Sequence, residues 1–375
     1  MLCTRPDVIE VLSSVPDPRV DRTKAHSLCA ILVGTLVAVI CDCDCYVEVA
    51  DFMESQRDWL SQYVDMTNGA PSHDTISRVF RLLDPVALSK AFYECLELLQ
   101  IKLTGKVVAI DGKCVRGSFD RVAGQKAIHM VSAWAVERGL VLGQVKVDEK
   151  SNEITAIPKL LEMLDLKGAI ITIDAMGTQR KIAQLIHDKG GDYVLAVKEN
   201  QLGLYDAVKS VLDIAFDTPH EGPHPDEATS FDNHHGRTEH RRFVSLSVEA
   251  IEWAELDGKW PGLRSLVAVE RRCITHKKTT VQRRYFISSL PPSVKPAAKA
   301  IRSHWGIENG LHWVLDISFR EDHSRVRKDH SPENMAVVRH FTMNILKRDT
   351  SNISIRRKRK KAAREVAYRE QLLKN

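Results

Sequence analysis

The chain has 375 residues, 43% hydrophobic and 27% charged, the proportions of an ordinary soluble protein long enough for two or three packed units. Fifty-four basic against 49 acidic side chains leave a formal charge of +5, too mild for the overall balance to demand a polyanionic partner. Eight cysteines with no CxxC pair and no secretory leader argue against a disulfide framework. The most apolar run, Leu28–Ile40, falls short of the roughly twenty residues of a membrane span, so a cytoplasmic protein with no membrane partner is expected.

Residues 1–100 read as a helical domain. Leu28–Ile40 is a buried helix, and a second helix covers 46–63. Asn68-Gly69 and Pro71 break the pattern, and Ser72 is a candidate N-cap for a third helix that buries Ile76, Val79, Phe80 and Leu83. Ser77, Arg78 and Arg81 lie off that face. A helix, a glycine turn and a basic helix suggest a helix-turn-helix unit reading DNA, with an ordinary helical bundle as the alternative. Between the first two helices, Cys41, Cys43 and Cys45 alternate with Asp42 and Asp44. A zinc site needs a second ligand pair elsewhere and none is evident, so a structural or incidental role is expected.

From Lys106 the periodicity changes to that of strands. Short apolar runs end at Asp111 and Asp174, and two others, 130–136 and 140–147, are joined by Glu137-Arg138-Gly139 as a hairpin. Helical periods cover 154–164 and 178–189, and a fifth strand covers 193–197. The order strand, strand, strand, helix, strand, helix, strand is that of a ribonuclease H-like α/β fold, a mixed sheet flanked by helices. Residues 101–200 are the first part of this core. In that fold the first and fourth strands are neighbours, so Asp111 and Asp174 should stand side by side.

Residues 201–290 read as a β-rich insertion, with a helix at 202–216, a polar loop at 217–237 and three strands after it. Residues 291–348 return to helix and complete the core. Residues 349–375 form a basic tail in which six consecutive cations, Arg356 to Lys361, suggest either a solvated, disordered segment or a grip on phosphates.

Asp111, Asp174 and Glu308 are the candidate catalytic and metal-binding residues. Phosphodiester cleavage by two Mg2+ ions, or Mn2+, needs hard oxygen ligands on a closely spaced pair. Carboxylates on adjacent strands and a third from a crossing helix supply them. Three such charges repel, so at least one should resist ionisation when metal-free. Asp316, Glu321 and Asp322 compete with Glu308 for the third position. Lys113, Arg116, Lys198 and Asn200 flank the strand ends and are candidates for DNA backbone contact. His129 reads as structural, and Trp305 and Trp313 as packing residues. No GxxxxGK[ST] phosphate loop is present.

Long ordered segments carry a resemblance: GAPSHDTISRVF at 69–80, AIDGK at 109–113 with RGS at 116–118, HMVSAW at 129–134, residues 143–158, TIDAMGTQ at 172–179, GDYVLAVKENQ at 191–201 and IRSHWGIENGLHWVLD at 301–316. Over nearly its whole length the chain resembles the DDE transposases of bacterial insertion sequences, of the H-repeat-associated, ISAs-type family. The resemblance implies binding to element ends in double-stranded DNA, metal-dependent cleavage and strand transfer into target DNA, and a homodimer on the DNA. It places the catalytic triad on Asp111, Asp174 and Glu308. Related transposases often carry Tyr, Arg and Lys around the glutamate. Here those places hold Ile301, His304 and Leu315, so Arg302 or His304 is expected to take over phosphate contact. The alternatives are a ribonuclease H-like nuclease without strand transfer and an inactive DNA-binding remnant.

Overall fold

A computed structural model describes residues 8–97, 102–121, 124–148, 151–217, 224–234, 237–250, 259–276 and 278–374. Helices α1 (Val8–Ser13), α2 (Leu28–Ile40), α3 (Tyr46–Ser55), α4 (Arg57–Leu60), α5 (His73–Leu82) and α6 (Pro85–Glu97) precede the first strand. Helix α2 is buried on nearly every side, and Ser27 caps it by accepting the Ala30 N–H at 3.1 Å. The span expected as one helix at 46–63 breaks at Gln56 into α3 and α4. Ser72 caps α5 as expected, accepting the Thr75 N–H. No helix among the described residues is long and apolar enough to cross a membrane.

Strands β1 (Val107–Cys114), β2 (His129–Ala135), β3 (Leu140–Lys146), β4 (Ile170–Ile173) and β5 (Asp192–Val197) are joined through α7 (Glu153–Glu162) and α8 (Arg180–Asp188). β1 pairs antiparallel with β2 and parallel with β4, and β4 pairs parallel with β5. This spatial order, β3-β2-β1-β4-β5, is the ribonuclease H-like mixed sheet. Val107 to Ile110 are fully buried because helices cover both faces.

Helix α9 (Leu202–Asp217) leads into β6 (Asp226–His234), β7 (Arg237–Ser247), β8 (Ser265–Thr275) and β9 (Thr279–Ser288). β9 pairs with β5, so the insertion continues the core sheet into one of nine strands. β6 falls within the stretch expected as a loop. Its sequence, DEATSFDNH, has too little apolar alternation to read as a strand. Cross-strand ion pairs hold it instead, Arg242 to Glu227 at 2.7 Å and Arg241 to Asp232.

The chain returns through α10 (Val294–His304), a π-helical turn (Glu308–His312), α11 (Trp313–Ser318) and α12 (Ser331–Arg348). Helix α12 runs between the sheet and the N-terminal helices, and one core joins Ile31, Leu36 and Phe80 to Trp134, Met335 and Phe341.

The tail is not a solvated appendage. It folds as α13 (Ile355–Arg364) and α14 (Val366–Lys374). Arg359 is fully buried, pairing with Asp42 at 3.2 Å and Asp44 at 2.7 Å and donating to the Val39 carbonyl. Arg369, also buried, lies 4.2 Å over the Trp59 ring and donates to Gln56. Lys358 donates to the Leu346 carbonyl, closing the end of α12. The aspartates of the cysteine run therefore bind the tail. Burial pushes the Cys41 thiol up to about 11 and the Cys43 thiol up to about 12, disfavouring the thiolates.

Candidate active site

The register of β1 on β4 pairs Ile110 with Ile173. The next residues, Asp111 and Asp174, sit level where this parallel pairing stops: Asp174 just past the end of β4, but Asp111 midway along β1, which runs on to Cys114 against β2 rather than ending at the acid as expected. Helix α10 crosses that end and delivers Glu308 on the π turn that follows. The His312 Nδ1 atom, on the same turn, is 3.7 Å from Asp111 Oδ2 and 3.6 Å from Glu308 Oε2. Donor atoms of Asp111, Glu308 and His312 all fall within 4.8 Å of one another. Asp174 is not among the donors that meet within that distance, but it is near enough for its charge to act on Asp111. Its Oδ1 accepts the Met176 and Gly177 N–H groups at 3.0 and 3.3 Å, which shapes the turn after β4 and leaves Oδ2 as its available oxygen.

The convergence is visible in the protonation of Asp111, which is pushed up to about 7. Burial is the main cause, and the charges of Glu308, Glu153 and Asp174 add to it against a Gly112 N–H that favours the ionised form. Burial also lowers the His312 ring, favouring the neutral imidazole.

Glu153, at the start of α7, went unnoticed in the sequence. It bonds His129 Nε2 at 2.6 Å. Gly112 makes room for this pair: a Cβ there would meet Glu153 Oε1 at 2.1 Å and His129 Nε2 at 2.3 Å and would displace their side-chain ends. His312 was also missed. Both residues reach the site only through tertiary packing, and no local motif marks them.

The remaining candidates separate into engaged and open groups. Lys113 does not face solvent freely. It pairs with Asp316 at 2.8 Å and with Glu321 and Asp322 at 3.2 Å each. The three acids that compete with Glu308 for the third position are thereby gathered on a cation. Arg116 is largely exposed, with its Nε 3.5 Å from Asp322. Arg302 pairs with Asp232 of β6 at 3.2 Å, and His304 Nδ1 lies 3.0 Å from Thr172 Oγ1, so both have protein partners. Asn200 donates to the Ala175 carbonyl at 2.9 Å, tying β5 to the turn after Asp174, while Lys198 is exposed. On α5, Arg78 is exposed, Ser77 is half-buried and Arg81 pairs with Asp329 at 2.7 Å. Ile301 and Leu315 are core residues. Trp305 and Trp313, expected to pack, are instead 51% and 58% exposed. Trp305 carries the Arg284 guanidinium 5.1 Å above its ring.

A ribonuclease H-like sheet with one acid on its first strand beside another just past its fourth defines a class, and the comparison of sequences agrees. Residues 102–345 match the family described as transposase DDE domain, and residues 9–95 match the DDE_Tnp_1-associated family. The chain belongs to the DDE transposase family. Among its relatives, "Putative transposase YncI" of Escherichia coli O157:H7 is 42% identical, over 98% of this chain and 94% of that protein. "H repeat-associated putative transposase YhhI" of Escherichia coli strain K12 is 39% identical, over 96% of each. A solved piggyBac transposase synaptic complex with hairpin DNA aligns with 98% of this chain and 78% of its own at 11% identity and a TM-score of 0.45, too distant for anything to be carried across.

Proposed function

We propose that the protein binds the ends of an insertion sequence in double-stranded DNA, cuts the phosphodiester there and joins the freed 3′ end to target DNA. The observation that supports this best is the convergence of Glu308 on Asp111, beside Asp174, with the Asp111 carboxyl held protonated up to about pH 7 by burial and neighbouring charge. Carboxylates at strand ends are common, but a cluster that resists its own ionisation is costly unless a cation relieves it. Carboxylate oxygens suit Mg2+ or Mn2+. Asp111, Asp174 and Glu308 would hold the ions. Bound divalent cations supply an activated water and neutralise charge developing on the phosphate.

The chain's own residues do the positioning. Lys113 fixes the end of β1 against α11 and the acids that follow it. The Asp174 turn and the Asn200 bond hold the end of β4 rigid, and the contact of His304 with Thr172 seats α10 so that Glu308 meets the sheet. Exposed Arg78, Arg116 and Lys198, with the outer face of α13, offer phosphate contacts. Two ends must be joined in one event, so the working unit on DNA is a homodimer.

Mg2+-dependent nicking and strand transfer on end-containing duplexes test the reading. Asp111→Asn, Asp174→Asn and Glu308→Gln are each expected to lower cleavage at least a hundredfold while leaving DNA binding within twofold. Full cleavage by Asp174→Asn would remove that residue from the site. Cleavage without joining of precut ends would reduce the protein to a nuclease.

A further inference from the structure

We infer that His312 is a direct ligand of the cation held by Asp111 and Glu308, which makes the shell a mixed nitrogen–oxygen one and tilts the site toward Mn2+ relative to Mg2+. The inference rests on the metal reading proposed above and goes beyond its three carboxylates.

Among the described residues, no hydrogen bond of ordinary length holds the His312 ring where it sits. Nδ1 is 3.6 and 3.7 Å from two carboxylate oxygens, beyond the 2.7–3.2 Å of a hydrogen bond. Nε2 is buried without a partner among the described residues, and the residue as a whole is only 6% exposed. A buried ring nitrogen without a partner is costly. The same spacing is close to that of neighbouring ligands on one ion. Donors at roughly 2.0–2.2 Å from a cation stand about 3.0–3.6 Å from each other. One ion between the Asp111 and Glu308 carboxylates and His312 Nδ1 would satisfy all three once these donors, within 4.8 Å of one another, draw in around it.

The backbone fits this role. Glu308 and His312 are the first and last residues of the π turn. Such turns give up ordinary helical bonding and recur at functional sites. Here the turn sets a carboxylate and an imidazole four residues apart on one side, facing Asp111 on β1. Imidazole suits the later divalent metals better than it suits Mg2+, while carboxylates suit Mg2+ and Mn2+ alike.

The experiment is pulsed electron paramagnetic resonance on the full-length protein with Mn2+ as the probe, with Kd values for Mn2+ and Mg2+ from titration. Wild type is expected to show coupling to a directly bound 14N, replaced by 15N coupling when histidine is 15N-labelled. His312→Gln should lose it and His304→Gln should keep it. His312→Gln should also weaken Mn2+ about tenfold and Mg2+ by much less. If His312→Gln fails to fold, the labelled His304→Gln and His129→Gln proteins still report whether a histidine binds the ion. Mn2+ bound at a site sensitive to Asp111→Asn but showing no nitrogen coupling would overturn the inference and leave the three-carboxylate reading standing. Mn2+ binding that is absent, or indifferent to Asp111→Asn, would overturn both.

Discussion

Asp111 links the chemistry of the site to the stability of the chain. Its carboxyl titrates near 3.8 in the unfolded state and near 7 in the folded, metal-free protein. Between those values the folded state holds the extra proton, so stability falls as pH rises through the window and the loss is complete above it. A rise of that size corresponds to about 4 kcal/mol. Metal-free Asp111→Asn is therefore expected to melt several degrees above wild type at pH 8 and close to it at pH 4, despite losing cation binding. Equal melting at pH 8 would mean that the carboxyl is not under strain. Asp111 and Asp174 were legible in the sequence because each ends a short apolar run, a local signal, although the first strand itself runs on to Cys114. His312 and Glu153 were not, since one depends on how a helix crosses the sheet and the other on a helix start folding back beside Gly112. Lys113 was misread for a related reason. A cation after an acid looks exposed until three acids from a distant segment close over it.

At the scale of elements, the tail departs most from expectation. Six consecutive cations suggest solvation, and composition does not reveal that only part of them faces outward. Around α13, Lys358 and Arg359 turn inward while Arg356, Arg357, Lys360 and Arg364 are exposed. The two sets should behave differently. Arg359→Ala leaves Asp42 and Asp44 without their buried partner and is expected to cost about 3–5 kcal/mol, read by denaturant unfolding. Replacing the four outer cations by glutamine should leave the melting temperature within a degree or two. It should also flatten the dependence of log K on log salt by up to about 0.9 for each phosphate that the variant no longer neutralises. An unchanged slope would show that this face does not touch DNA. Strand β6 teaches the complementary point. It is polar yet ordered, because a strand can be recruited by ion pairs across its neighbour, and those pairs leave no periodicity to find.

For the whole molecule, the strand order and the helices of the core followed from the pattern of apolar runs. The way the parts interlock did not. The sheet runs unbroken from β3 to β6, and β5 depends on β9 for its second edge. Removing residues 224–290 would leave one edge of β5 unpaired and the apolar side of α10, with Ala297 and Ile301, uncovered. Such a deletion is expected to aggregate rather than yield a smaller soluble core, which expression and circular dichroism would read. A soluble, cooperatively melting product would show that the insertion is an independent unit.

The burial of Arg359 has a consequence for how the protein is made. Asp42 and Asp44 emerge from the ribosome long before the guanidinium that neutralises them, which lies 315 positions beyond Asp44. The opening helices must therefore wait, incompletely closed, until that late segment has been translated. A chain interrupted by a premature stop just ahead of Arg359 would carry every acid of its active site and still lack the clasp that fastens its first helices to its last.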